Sequence, residues 1–300
     1  MALHVVGNVC VDETFYVERL PRPGETVNAG ATTRGVGGKG ANQAAAAART
    51  GVDVIFRAAL GADADAGFVR TGLAGELMLD GLVVLDTPTD RSTILVDSVG
   101  ENVIVTAAAS AMAFDPVAGP FQWPGRGDYL LMQGNLGAAV TAACLGATRD
   151  RGAVAILNPS PLTTPPGLPE ADIIIVNAVE AEALSGCAEP IEAARRLSRG
   201  GTASVVVTLG AGGALCLDRG ASDARRVAAP AVTAVDASGA GDVFAGVLSG
   251  CLALGLPLAD AVGIGVQAAS IAVTRRGTLA ACPSRSEIAA LIDGASRRLS

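Results

Sequence analysis

The sequence predicts an α/β fold: a doubly wound, mostly parallel sheet with helices on both faces and one small β excursion. Two observations carry that prediction. From Tyr129 onward the short apolar runs YLLMQ, AVAILN, DIIIVN and SVVVTLG alternate with alanine-rich helical segments, the pattern of strands buried on both faces and joined by crossovers. Before them, TILV and VIVT flank Asp97-Ser98-Val99-Gly100-Glu101-Asn102, which reads as a hairpin and interrupts the alternation. A chain of 300 residues can bury a sizeable core as one large domain or two modest ones.

Taken in order, the first strand is the run from Leu3 to Val6, ending at Gly7-Asn8. His4 lies inside this apolar run, where a strand-edge or core role outweighs catalysis. From Asp12 to Arg34 the chain is polar and broken. Gly35-Val36-Gly37-Gly38-Lys39-Gly40 then matches G-x-G-x-x-G, a pattern that signifies dinucleotide binding only after a buried strand, before a helix and ahead of a suitably spaced acidic residue. The preceding TTRGV is too polar for that strand. A Walker-type loop fails as well, because it requires glycine where Thr33 stands and Ser or Thr where Gly40 stands. What remains is a glycine-rich turn feeding a helix, where backbone N–H groups and Asn42 can approach a small polar ligand closely. The helix runs through the alanines to a stop near Thr50-Gly51, and Val52 to Leu60 reads as the next strand. The charge-free run from Tyr129 to Thr148 has the length of a membrane span. Gln133, Gly134 and Asn135 interrupt it, so a strand, a polar turn and a buried helix explain it better. Pro159 to Pro169 is proline-rich and loop-sized.

Composition narrows the function classes. Half the residues are hydrophobic but only 3% are aromatic, so small side chains must build the core, and 38 glycines suit close approach of its elements. A formal charge of −7 with no Lys/Arg run argues against nucleic-acid or membrane-surface binding. Cys10, Cys144, Cys187, Cys216, Cys251 and Cys282 are scattered without metal-ligand spacing, which reads as buried free thiols in a reducing compartment. No basic leader precedes an apolar stretch at the N-terminus, so a cytoplasmic location is expected.

Four segments can carry chemistry. Val235-Asp236-Ala237-Ser238-Gly239-Ala240-Gly241-Asp242 precedes an apolar helical run, and small residues there expose successive N–H groups at the positive end of a helix. Such a hole suits the charge of a transferring phosphoryl group. Asp242 can then accept a hydroxyl proton, or serve merely as a first-turn carboxylate. Asn177-Ala178-Val179-Glu180 has capping-box spacing, yet its carboxylate can also hold Mg²⁺ through water. Thr208 to Gly213 ends a strand in a loop that either cradles nucleotide phosphates or is a plain hairpin turn. Asp12, near a strand end, suits vicinal hydroxyls.

GNVCVDE, LPRPGETV, GGKGANQAAAAA, GENVIVT, LLMQ, NPSP, NAVEAEAL, VTLGAGGA, VDASGAGDVFAG and AVTRRG occur in this order over nearly the whole chain. Together they resemble the ribokinase-like (PfkB) carbohydrate kinases. The resemblance implies a single ribokinase-like domain over residues 1–300, with a small β-sheet lid formed by about 12–34 and 89–107. It implies ATP, Mg²⁺ and K⁺ as cofactors, a small sugar as acceptor, and a homodimer paired through the lid. It makes Asp242 the base and Gly239, Ala240 and Gly241 the anion hole. It assigns Asp12, Gly38, Lys39, Gly40, Asn42 and Asn135 to the sugar, and Asn177, Thr208, Gly210, Gly213 and Gly241 to ATP. Glu180 would organise Mg²⁺ through water, and a monovalent-cation site would fall on Asp236, Ser238, Ala272, Arg275 and Gly277. D-ribose is the first acceptor expected, with another pentose, a ketohexose or a nucleoside as alternatives, and a non-catalytic sugar-binding regulator as the reading from another class. Two positions depart from the family pattern. Asn135 stands where a glutamate is usual, replacing an obligate acceptor with a mixed donor and acceptor. Ala281 stands where a serine often completes the cation site.

Overall fold

The structure is a computed structural model that describes residues 1–119, 121–162 and 168–296. In β1 (Ala2–Val6) both alternating sets of side chains are buried, as a central strand requires. The chain then builds β2 (Cys10–Tyr16) and β3 (Ala31–Gly37), enters α1 (Lys39–Ala48), and returns through β4 (Asp53–Leu60), α2 (Ala64–Leu73) and β5 (Leu82–Val84). The hairpin of β6 (Arg91–Val96) and β7 (Asn102–Ala107) follows, then α3 (Ala109–Ala113), β8 (Tyr129–Gln133), α4 (Ala138–Asp150), β9 (Val154–Asn158) and β10 (Ile173–Asn177). Next come α5 (Ala178–Ser185), α6 (Pro190–Leu197), β11 (Ser204–Thr208), β12 (Ala214–Leu217) and β13 (Arg225–Val227), before α7 (Ala240–Ala253), α8 (Leu258–Ala272) and α9 (Arg285–Ser296).

The main sheet has the order β13-β12-β11-β10-β9-β8-β1-β4-β5. Its pairs are parallel from β11 through β5, while β12 and β13 join antiparallel at one edge. From β1 the chain moves outward to β4 and β5, then resumes on the other side at β8. That reversal opens a crevice at the carboxyl ends of β1 and β8, the place where doubly wound sheets bind ligands. Side chains from α1, α2, α7, α8 and α9 cover one face of the sheet, and those from α3, α4, α5 and α6 the other. The run from Tyr129 to Thr148 is a strand, a polar turn and a helix, as expected, although α4 buries only one of its faces. No helix among the described residues is long and apolar enough to cross a membrane. Of the proline-rich stretch Pro159 to Pro169, residues 163–167 lie outside the described residues.

A second sheet has the order β3-β2-β6-β7, and it corrects the reading of Asp12 to Arg34 as broken chain. Both CVDETFY and ATTRGVG are strands. They pair antiparallel with each other, while β2 also pairs parallel with β6, some eighty residues away in the chain. Thus GVGGKG closes a strand and opens a helix, but its strand belongs to the small sheet. Arg34 of β3 and Arg91 of β6 both bind the buried carboxylate of Asp65 in α2, tying this sheet to the main body.

Small residues bring α1 and α7 into backbone contact. A Cβ added to Gly246 would lie 2.3 Å from the Gln43 carbonyl oxygen and 2.8 Å from the Ala46 Cβ. This close approach places the first turns of the two helices side by side.

The cysteines are free; Cys187 is partly exposed and the other five are buried. Two buried titratable groups bias stability in opposite directions. Burial, then the charge of Arg57, push His4 down to about 4, with Asp128 opposing. Burial pushes Asp90 up to about 6, against the backbone N–H groups of Ser110 and Ala111 that it accepts. Between these pH limits the unfolded chain binds more protons at position 4, so the His4 contribution is lost as pH falls from about 6.5 to about 4. At position 90 the folded chain binds more protons, so that contribution is lost as pH rises from about 4 to about 6. Each shift corresponds to about 3 kcal/mol. Asp90→Asn is therefore expected to make stability climb more steeply between pH 4 and 6, and His4→Gln to reverse that trend. Urea midpoints measured across this range test it; parallel curves for all three proteins would refute it.

Candidate active site

Polar residues close the strands of the main sheet at one edge: Asn8 just beyond β1, Gln133 on β8, Asn158 on β9, Asn177 on β10 and Thr208 on β11. Register sets Gln133 opposite Asn158 and Asn177 opposite Thr208. The apolar body of each strand is core, and the terminal polar group faces the crevice end.

At the β1/β8 crevice, Asn8 anchors the glycine turn. Its Oδ1 accepts from Gly40 N at 3.3 Å, and its carbonyl accepts from Ala41 N at 3.1 Å. Gly38 precedes α1 at φ 95°, which starts the helix with Lys39 and points Asn42 and Gln43 toward α7. Asn42 Nδ2 donates to Asp242 Oδ2 at 3.1 Å and Gln43 Nε2 to Oδ1 at 2.9 Å. Lys39, the only lysine in the chain, places Nζ 3.8 Å from Asp242 Oδ1. Asp242 is buried, and these contacts compensate its charge. Gly239 enters α7 in the left-handed region at φ 74°, a turn that leaves the N–H groups of Gly239 and Gly241 without acceptors among the described residues. The N–H of Ala240 instead reaches back to the Ala237 carbonyl at 3.3 Å.

Asp12, on β2, faces the same region from the small sheet. Burial raises its carboxyl, the thiol of Cys10 and the hydroxyl of Ser92 oppose that shift, and the charge of Asp242 adds to it. Cys10 Sγ donates to Asp12 Oδ1 at 3.2 Å and contacts Ser92 Oγ at 3.3 Å. Burial first, then the charge of Asp12, hold the thiol well above its usual range. Asn135 occupies the turn after β8. Its Oδ1 and the Oδ1 of Asn42 are buried and have no hydrogen-bond partner.

A cleft of about 1100 Å³ opens between Asp12, Tyr16 and Thr33 of the small sheet and the loops around Asp236 and Gly277. Arg276 reaches across it to Tyr16, 5.8 Å from the ring centroid. Asp236 joins two of the expected cation-site segments, accepting from Ser238 N at 2.8 Å and from Gly277 N at 2.9 Å. The Asp236 N–H donates to the Val273 carbonyl beyond Ala272, and Arg275 turns its side chain to Glu287. Ala281 is fully buried and offers no hydroxyl.

Further along the edge, Asn177 and Glu180 form a capping box, with Glu180 N to Asn177 Oδ1 at 2.8 Å and Asn177 N to Glu180 Oε2 at 3.0 Å. Thr208 ends β11, and Gly210 and Gly213 belong to the tight connection of an antiparallel hairpin to β12. Both structural readings of these segments therefore hold; Glu180 Oε1 is left over for a ligand. The structure brings Lys39, Asn42 and Asp242 together, and Asp236 with Ser238 and Gly277. It sets Asn177, Glu180 and Thr208 apart, at β10 and β11. Asn8, Gln43, Gln133 and Asn158 were missed; an apolar run ending in an amide was the signal that could have found Gln133 and Asn158, while Gln43 carried none.

The pfkB family carbohydrate kinase model matches residues 2–285. A ribokinase of Haemophilus influenzae is 31% identical over 296 residues, covering 95% of this chain and 96% of its own. The crystal structure of a Cryptococcus neoformans ribokinase in complex with ADP superposes with a TM-score of 0.84 at 29% identity, over 96% of this chain and 98% of that one. An Arabidopsis thaliana ribokinase complexed with ribose and ATP gives a TM-score of 0.82 at 26% identity, over 97% and 98% of the two chains.

Proposed function

The chain belongs to the pfkB family of carbohydrate kinases, phosphotransferases that act on an alcohol group, and we propose that its reaction converts D-ribose and ATP to ribose 5-phosphate and ADP. One observation carries this reading. A buried carboxylate on a helix N-terminus is held by two amides beside a lone lysine, and the acceptor Asn42 Oδ1 next to it, like Asn135 Oδ1 in the turn after β8, has no donor. A ligand with several hydroxyl groups supplies such donors at short range.

In the proposed reaction Asp242 takes the proton of the primary hydroxyl as its oxygen attacks the γ-phosphorus of ATP. The bond from that phosphorus to the bridging oxygen breaks, and ADP leaves with the electron pair. The N–H groups of Gly239 and Gly241 stabilise the charge on the transferring group. Lys39 neutralises charge at the same point, and Asn42 and Asp12 orient the sugar. Nucleotide binding is assigned to Asn177, Thr208 and the connection through Gly210 and Gly213.

The residues fit the cofactors of this chemistry. Mg²⁺ is an ion that stays largely hydrated and phosphate-bound, so a single protein carboxylate oxygen with no other partner among the described residues suits it. Glu180 Oε1 would hold it through water, and it would neutralise phosphate charge. The proposed K⁺ site takes oxygens from Asp236, Ser238, Ala272, Arg275 and Gly277, the first of which is already tied to the second and last, and the ion would order the loop leading into α7. The small sheet serves as a lid that excludes water. Its outer strand β7 exposes Val103, Ile104 and Val105, which supports pairing of two subunits through the lids. A cytoplasmic setting agrees with six free thiols.

ADP release measured over pentoses, hexoses and nucleosides, with and without K⁺, tests the proposal. Ribose should give the highest kcat/KM; release that no sugar or nucleoside stimulates would favour the binding-only regulator. Because Asn135 presents an amide where the family resemblance implies a carboxylate, Asn135→Glu should shift the kcat/KM ratio toward ribose over the other pentoses by about tenfold, the worth of one hydrogen bond to a charged group. An unchanged ratio would remove Asn135 from the sugar site.

A further inference from the structure

Asp242 receives an N–H on each carboxylate oxygen from adjacent residues of α1, and the two donors differ in kind. Asn42 retains an unpartnered acceptor for a ligand. Gln43 is fully buried, and every polar atom of its side chain is used. Its Nε2 donates both to Asp242 Oδ1 at 2.9 Å and to Asn158 Oδ1 at 3.0 Å, while its Oε1 accepts from Gln133 Nε2 at 2.8 Å.

The ends of this chain dictate the direction of every bond in it. The Ile175 carbonyl can only accept, so Asn158 gives it Nδ2 at 2.9 Å and turns Oδ1 toward Gln43. An ionised Asp242 likewise only accepts. Gln43 therefore has one admissible orientation, with its amide nitrogen toward both. One N–H satisfies Asn158, and the second is directed at the carboxylate. Lys39, at 3.8 Å and partly exposed, is a looser partner of the same oxygen.

We infer that Gln43 is a positioning residue for phosphoryl transfer: it holds Asp242 through Oδ1 in a fixed plane, so that the base is aimed before the sugar arrives. The inference rests on the reading of Asp242 as the base. Gln43 touches the sugar pocket only through that carboxylate, so its removal acts on turnover rather than on sugar binding. Displacement of a reacting group by about an ångström costs on the order of a hundredfold in rate, which sets the scale of the effect.

The test compares Gln43→Met, Asn42→Ala and Asp242→Asn by ADP-release kinetics with ribose and by calorimetric titration of ribose. Gln43→Met should lower kcat by about ten- to a hundredfold while ribose affinity stays within about threefold, whereas Asn42→Ala should weaken ribose binding as well. If Gln43→Met fails to fold, Gln43→Glu keeps the shape and the acceptor toward Gln133 but replaces the N–H facing Asp242 with oxygen, and the same split is expected. A kcat within threefold of the unaltered protein, with Asp242→Asn inactive, overturns the positioning role. Parallel loss of kcat and affinity also overturns it, assigning Gln43 to the scaffold of the pocket. Retained turnover in Asp242→Asn is a separate failure, that of the base itself.

Discussion

Asp242→Asn is expected to lower kcat about a thousandfold and to change ribose affinity little. The substitution preserves shape and removes the carboxylate proposed to take the hydroxyl proton, and general-base catalysis contributes on that scale. It also sets an amide nitrogen against one of two N–H donors, Asn42 Nδ2 or Gln43 Nε2, which lie 3.1 and 2.9 Å from the native oxygens. Leaving one of these unpaired should cost about 1–3 kcal/mol of stability. Rapid-quench kinetics with ribose titrations separate the two effects. Turnover near that of the unaltered protein would assign Asp242 to helix capping alone.

Gly246→Val should destabilise the fold by about 3 kcal/mol or more and depress kcat with it. Even the first added carbon would sit 2.3 Å from the Gln43 carbonyl, so α7 must move away from α1, and overpacking of this kind is costly. Since α1 carries Asn42 and Gln43 while α7 carries Asp242, the displacement opens the hydrogen bonds that hold its carboxylate. Urea unfolding and steady-state kinetics on one preparation measure both. An unchanged midpoint would mean that the helices slide apart freely, and the contact would lose its role.

The parts of this molecule legible in the sequence are those whose physics is local. Strands buried on both faces read as apolar runs, so β8 through β11 were visible, and VDASGAGD exposed its helix start through small residues. Strands β2 and β3 were illegible because neither CVDETFY nor ATTRGVG alternates clearly; their pairing is with each other and with distant β6, and part of their surface must be polar to line a cleft. The capping box at Asn177 and Glu180 and the hairpin after Thr208 were both foreseen as alternatives to ligand binding, and geometry shows that each structural role is real.

Around Asp242, the residues named from motif resemblance were those assigned to the ligand side of the proposed site. Those behind it were missed. Gln43 looks in sequence like one polar residue in an alanine helix, and Gln133 and Asn158 like the ends of apolar runs. Only the register of β8 on β9, and the contact of α1 with α7, turn them into one hydrogen-bonded chain. Lys39 carried a simpler signal, since every other cationic side chain in the sequence is arginine except the single histidine.

The bond from Asn42 to Asp242 joins residues 200 positions apart. During synthesis the turn at Gly38 to Asn42 is made first, and Asp242 with the small residues before it is added only after every strand of both sheets. An unfinished chain thus lacks the proposed base, and the proposed reaction cannot begin in it. The order of the sequence itself sets the proposed base after all the strands that flank its crevice.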